Sequence, residues 1–289
     1  HSGGNAASGA GVGPAANGVI DATERCRVFR QLHQSGCFVM PNPWDLGSAR
    51  LLAQLGFPAL ATTSAGFAWA QGRPDNGVSL EEVLTHLRSI AHSVELPINA
   101  DFEGGFATDP VAVHANVTSA IATGIAGLSI EDSTGDASNP LFEFALAVER
   151  VRAARRAIDD SRSGILLTGR SEGFIVGRPD LAETIRRLAA YADAGADCLY
   201  APGIRAKADI VAVVKAVAPK PVNVLVGGPF TTVTELADAG VRRISVGGAL
   251  ARTAWTNFLQ AAKEISEQGT FSGLANAVGS AELNEHLRS

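Results

Sequence analysis

The sequence predicts an α/β protein, a single (β/α)₈ TIM-type barrel with a C-terminal helical extension, and three observations carry that expectation. From Gly36 onward, short apolar segments alternate with amphipathic stretches, the rhythm of βα units around a parallel sheet. Eight such units follow one another, enough to close a barrel, and no Gly-rich dinucleotide turn follows the first strand as it would in an open doubly wound sheet. The apolar segments also lack polar alternation, as expected of strands covered on both faces.

The strands are expected at 37–42, 59–64, 98–102, 127–132, 164–170, 198–201, 222–226 and 242–246. Helical patterns are clearest at 79–94, 110–124, 141–158, 179–195 and 206–217, several opening on a Ser, Asp or Pro start signal and ending at Gly. Residues 250–265 supply the last outer helix, and 272–287 form a further one. The Gly-, Ala-, Ser- and Asn-rich stretch 1–18 reads as a flexible leader, 19–266 as the barrel, and 267–289 as a helical extension suited to exchange between subunits.

Composition narrows the function. No apolar run in the 289 residues reaches the roughly 18 needed to span a bilayer, so no membrane span is expected. The net charge of −5 is mild and the basic residues are spread out, which argues against nucleic acid as a partner. Lysine occurs only at Lys207, Lys215, Lys220 and Lys263, so arginine, whose planar fork suits carboxylate or phosphate, carries nearly all the positive charge. Cys26, Cys37 and Cys198 are widely spaced in apolar surroundings and read as reduced thiols of a cytoplasmic protein.

Barrel enzymes place their chemistry where strands end and βα loops begin. The third strand runs out through Asp101-Phe102-Glu103-Gly104-Gly105, which puts Asp101 and Glu103 on one side of an extended chain; the fourth ends at Glu131-Asp132. Such carboxylates repel one another unless a cation sits among them, and an all-oxygen set favours Mg²⁺ or Mn²⁺. Asp132 suits a structural role equally well. Arg170 ends the fifth strand, placed either to clamp a substrate anion or to pair with Glu131 or Glu172. Thr63, Ser64, Ala65 and Gly66 after the second strand offer hydroxyls and N–H groups to an anion, and Asn223 is a polar residue inside the apolar seventh strand. No histidine or lysine ends a strand, which disfavours histidine catalysis and a Schiff-base aldolase. Gly227-Gly228 and Gly247-Gly248 keep open a phosphosugar isomerase or synthase.

Taken in order, the segments 61–66, Gly72-Arg73-Pro74-Asp75, 99–105, 129–132 and 168–172 resemble the isocitrate lyase and phosphoenolpyruvate mutase superfamily, over most of 38–265. The resemblance implies Mg²⁺ held largely through water by Asp101, Glu103 and Glu131, with the substrate oxo-acid chelating it. It implies that Ser64, Ala65 and Gly66 bind the substrate carboxylate, that Arg170 neutralises it or a phosphoryl group, and that Asp75 belongs to the site. It also implies a homo-oligomer, a tetramer or dimer with an exchanged C-terminal helix. One departure stands out. The loop 133–140 has none of the cysteine, lysine or histidine by which family lyases act, and only Asn139 answers to the lysine and asparagine of the mutase branch. The expectation is therefore Mg²⁺-dependent cleavage or formation of a C–C or P–C bond beside the carbonyl of a small anionic oxo-acid. A barrel that binds an oxo-acid without turnover is the alternative.

Overall fold

The structure, a computed structural model, describes residues 21–288, so the segment 1–18 read as a leader lies outside the described residues. Eight parallel strands, β1 (Phe38–Val39), β2 (Leu60–Ala61), β3 (Ile98–Asp101), β4 (Gly127–Glu131), β5 (Leu166–Arg170), β6 (Cys198–Tyr200), β7 (Val222–Leu225) and β8 (Arg243–Ser245), hydrogen-bond in the order β1-β8-β7-β6-β5-β4-β3-β2. The Ala61 N–H crosses the remaining seam to the Pro41 carbonyl at 3.0 Å and closes the ring. This is the (β/α)₈ barrel that the repeat predicts. Every strand falls inside its predicted segment and is shorter than it, because pairing ends where the chain turns outward into a loop.

The helices are α1 (Ala22–Leu32), α2 (Leu46–Gln54), α3 (Ser64–Ala70), α4 (Leu80–Ser93), α5 (Pro110–Ile121), α6 (Phe144–Ser161), α7 (Leu181–Asp193), α8 (Lys207–Val217), α9 (Val233–Asp238), α10 (Ala249–Gln268) and α11 (Ser280–His286). Helix α4 shows why they form. Ser79 and Glu82 make a capping box, and Val83, Leu87, Ile90 and Ala91, at helical spacing, are buried.

Three elements depart from the sequence expectation. The single helix expected over 272–287 is a 3₁₀ turn at Ser272–Leu274 and, beyond Gly279, the short α11. Helix α1 precedes Gly36, where the repeat begins, and it plugs the N-terminal end of the barrel. Its Arg30 donates to the Gly164 and Ile165 carbonyls at 2.6 and 3.0 Å, and its Phe29 is fully buried. Helix α10 has the sequence of the eighth outer helix but buries only Ala251, leaving Trp255, Phe258, Leu259 and Ile265 exposed. An amphipathic pattern states that a face needs a partner, not which surface supplies it. The chain then returns: α11 meets α2, where His286 and Gln54 hydrogen-bond. Cys26, Cys37 and Cys198 are free thiols, as expected.

Candidate active site

The C-terminal ends of the strands surround a cavity of about 150 Å³. An engineered core cavity of about that volume houses a benzene, so the space suits a ligand of a handful of heavy atoms. Asp101, the last residue of β3, organises its rim. Its N–H donates to Thr62 Oγ1 at 2.9 Å, and its Oδ2 accepts from both the N–H and the hydroxyl of Ser64, each at 2.8 Å. Thr63 caps α3 by accepting the Gly66 N–H at 3.2 Å. Gly66 is required by packing, since a Cβ there would come within 2.7 Å of the Thr63 methyl and 3.0 Å of Trp44. Of the three N–H groups expected to bind a carboxylate, Ser64's and Gly66's are thus engaged within the protein, and Ala65 lines the cavity with its own N–H unpartnered among the described residues.

Arg170, at the end of β5, joins the acids together. It lies 3.3 Å from Asp101 and 3.5 Å from Glu131, donates through Nε to Glu172, and stacks over the Tyr200 ring at 5.1 Å. Burial opposes its charge, but Glu172, Glu131 and Asp101 outweigh burial and hold the guanidinium well above its ordinary pKa. Both ion pairs that the sequence offered as alternatives to an anion clamp are therefore present. Burial, with Glu172, Asp101 and Glu103 nearby, raises Glu131 well above the usual carboxylate range against the pull of Arg170.

Asp132 and Glu131 are neighbours in sequence with opposite surroundings. Asp132 accepts from the Glu172 N–H at 2.8 Å, from Arg187 at 3.1 Å and from the Tyr191 hydroxyl at 2.6 Å, so it is a structural strut behind the site. Through the Glu172 backbone it fixes the segment that carries Arg170.

Glu103 corrects the strand argument. β3 ends at Asp101, and Glu103 stands in a left-handed turn with φ +49°, so the two-residue alternation no longer applies to it. Arg150 holds this turn by donating to the Ala107, Gly104 and Glu131 carbonyls. Glu103 lines a second, adjoining cavity with Glu131, its Oε1 is buried without a partner, and burial with the charges of Asp101 and Asp75 pushes its carboxyl up to about 8. Asp75 lines the 150 Å³ cavity at its open side, and loss of water around its carboxyl together with the Asp101 charge raises its pKa as well. Among the described residues no three His, Cys, Asp or Glu side chains stand close enough to ligate one ion directly. The donor set nonetheless fits a cation held through water, because an orphaned buried carboxylate oxygen and mutually repelling acids form an electrostatic deficit that a divalent ion would relieve.

Asn139 is not brought to this cavity. Its loop is folded on itself by a Ser133–Leu141 bridge and by hydrogen bonds to Asp136, and Asn139 lines a separate hollow with Ser171 and Arg178. Gly247 and Gly248 line the cavity and are also held by local packing. The Val246 and Gly247 N–H groups are both taken by Asn42 Oδ1 at 2.9 Å, and a Cβ on Gly248 would meet Trp69 at 3.0 Å.

Of the cavity floor, Asn223 was expected from the sequence and Arg243 was not. Asn223 lines it, its Oδ1 accepting from Arg243 Nε at 2.9 Å and its Nδ2 donating to Ser245 at 3.0 Å. Arg243, 1% exposed, also reaches Thr168 Oγ1 at 2.9 Å and His33 Nε2 at 3.2 Å. The signal was a charged residue at the start of an otherwise apolar strand.

A family model for phosphoenolpyruvate phosphomutase matches residues 29–266. The chain belongs to this family, within the phosphoenolpyruvate mutase and isocitrate lyase superfamily of lyases and mutases. It is similar to a protein of Burkholderia cenocepacia J2315, provisionally described as a lyase/mutase, at 45% identity and TM-score 0.90, covering 93% of this chain and 98% of that one. It is 30% identical to an oxaloacetate decarboxylase of Bradyrhizobium diazoefficiens, over 84% of this chain and 86% of that protein. It also resembles oxaloacetate acetylhydrolase in complex with its product oxalate, at 26% identity and TM-score 0.82, covering 92% and 94% of the two chains.

Proposed function

We propose that this protein is a Mg²⁺-dependent enzyme, Mn²⁺ being an acceptable substitute, that breaks a C–C or P–C bond beside the carbonyl of a small oxo-acid. Carboxy-lyase or lyase chemistry stands ahead of phosphonomutase chemistry. The observation that carries the reading is the Asp101–Arg170–Glu131 cluster at the rim of a cavity sized for a few heavy atoms.

Asp101, Glu103 and Glu131 would hold the metal through water, and the metal when bound would polarise the substrate carbonyl and stabilise negative charge developing on its oxygen. Arg170 places a permanent positive charge beside the same position, fixed by Glu172 and by the Tyr200 ring, so it need not reorganise as charge develops. The unpartnered Ala65 N–H is a ready donor to the substrate carboxylate, and Ser64 joins it if Asp101 turns towards the metal's water shell. Asp75 closes the open side. The loop 133–140 supplies no general acid, which favours loss of CO₂, since that departure needs no proton from the protein.

Free thiols support a reducing, cytoplasmic setting, and among the described residues no helix is long and apolar enough to cross a membrane. The exposed apolar face of α10 supports a homo-oligomer, tetramer or dimer, in which this helix packs on another copy. Light scattering should then report a mass above one chain, and Phe258→Asp should lower it; a monomeric wild type would contradict this.

The activity is tested by product detection with oxaloacetate, phosphonopyruvate, phosphoenolpyruvate and substituted malates, each with Mg²⁺ and with chelator. Chelator-sensitive pyruvate release from a member of the panel is expected. Silence across the panel would instead favour a barrel that binds an oxo-acid without turnover.

A further inference from the structure

We infer that Arg243 is a second anion-binding residue of the site, and that the barrel interior receives one acidic group of a dianionic ligand while the rim engages the other end. This deepens the oxo-acid reading and rests on it for the rim end alone.

The interior of a barrel of this type is ordinarily filled by branched apolar side chains. Here the inward layer around the cavity floor is polar, with Asn99, Ser129, Asn223, Arg243 and Ser245 among its lining residues. Arg243 is its one positive charge and is almost wholly buried. All three of its hydrogen-bond partners, Asn223 Oδ1, Thr168 Oγ1 and His33 Nε2, are neutral, and among the described residues no carboxylate pairs with it. His33 offers no compensation. Its Nδ1 faces the Phe29 carbonyl at 2.7 Å, which leaves Nε2 as the acceptor for Arg243 and keeps the ring neutral.

A guanidinium cannot shed its proton and carries five N–H donors, of which these contacts use three. A buried cation without a counterion is costly, and an anion entering from the cavity is the remaining way to offset it. Arg170 presents the contrasting case, being surrounded by Asp101, Glu131 and Glu172. The two arginines therefore differ in availability, with the rim cation engaged and the floor cation open. Asn99 adds an independent sign that the floor awaits a ligand or its water, since its Oδ1 is buried and unpartnered. The ligand class that fits is a short dianion, a dicarboxylate or phosphonocarboxylate, of a size compatible with about 150 Å³.

Binding measured by calorimetry, with metal chelated and no turnover required, tests the assignment separately from the enzymatic reading. Oxalate and malonate serve as dianions and pyruvate as the monoanion. The wild type should bind a dianion at least tenfold more tightly than pyruvate. Arg243→Met should lose that preference while pyruvate affinity changes less than threefold, and Arg243→Lys should recover part of it. Equal dianion affinity in wild type and Arg243→Met would overturn the proposal and leave Arg243 as a tie between α1 and β8. If Arg243→Met does not fold, a crystal structure of the wild type with malonate decides the question. A carboxylate oxygen within hydrogen-bond distance of the Arg243 guanidinium supports the proposal, and malonate confined to the rim contradicts it.

Discussion

Glu131 and Asp132 are consecutive acids at one strand end, and their surroundings separate a site from a scaffold. Asp132 turns outward and is saturated by Arg187, Tyr191 and the Glu172 N–H. Glu131 turns to the rim, where it shares Arg170 with Asp101 and Glu172, and its pKa is raised well above the usual range. In the strut every charge has its partner. At the rim the acids outnumber the cation, an arrangement that costs stability and that the proposed ion or ligand would relieve.

That contrast can be broken at several points. The largest effect is expected for Asp101→Ala, which should lower metal-dependent activity by about 10³-fold or more while the melting temperature stays within a few degrees; assays and calorimetry on the same preparation check both. Asp132→Asn should do the reverse, costing about 1–3 kcal/mol of stability because the Tyr191 hydroxyl and Arg187 Nη1 lose a charged acceptor while Arg187 keeps only Glu183 as its ion-pair partner, with kcat changed far less than the denaturation midpoint. Wild-type activity in the first variant, or an unmoved midpoint in the second, would erase the distinction between the two acids.

Arg170→Lys should sharpen it further. It keeps the charge but loses the planar fork that spans Asp101, Glu131 and Glu172, so KM is expected to rise about tenfold with little change in stability; the opposite pattern would make Arg170 a structural tie.

The smallest effect concerns pH. His33 is held down to about 3 by burial and by Arg243, below its ordinary 6.5. The unfolded chain therefore takes up the proton first, so its contribution is complete above about pH 6.5 and declines as pH falls from there towards 3, by at most about 1.4 kcal/mol per unit. His86, held to about 4 by burial, adds to the same decline. His33→Gln should flatten the stability profile between pH 6.5 and 4, measured by denaturant midpoints, and an unchanged slope would contradict the neutral assignment of His33.

The strand positions and the rim acids were legible because a repeat of eight units fixes which residues end strands, and strand ends of a barrel share one face. Glu103 was found for a partly mistaken reason, since the left-handed turn, not strand alternation, sets its side chain. Asn139 was placed by its residue type, and the Ser133–Leu141 bridge that carries it to another hollow has no sequence signature. The Arg243 part of the floor was hidden for a related reason. Arg243 reaches His33 across 210 positions of sequence, and α1 lies outside the repeat, so neither end of that contact announces the other. Helix α10 was legible as a helix but not as one that leaves its own barrel, because amphipathicity is silent about the partner.

Whether the rim is a divalent-metal site completed by an oxo-acid, as proposed, is decided by Mn²⁺ binding followed by electron paramagnetic resonance. One Mn²⁺ per chain is expected, with a spectrum that changes on adding oxalate, retained in Asp132→Asn and lost in Asp101→Ala. Absence of saturable Mn²⁺ binding to the wild type, or binding that survives Asp101→Ala, would contradict it.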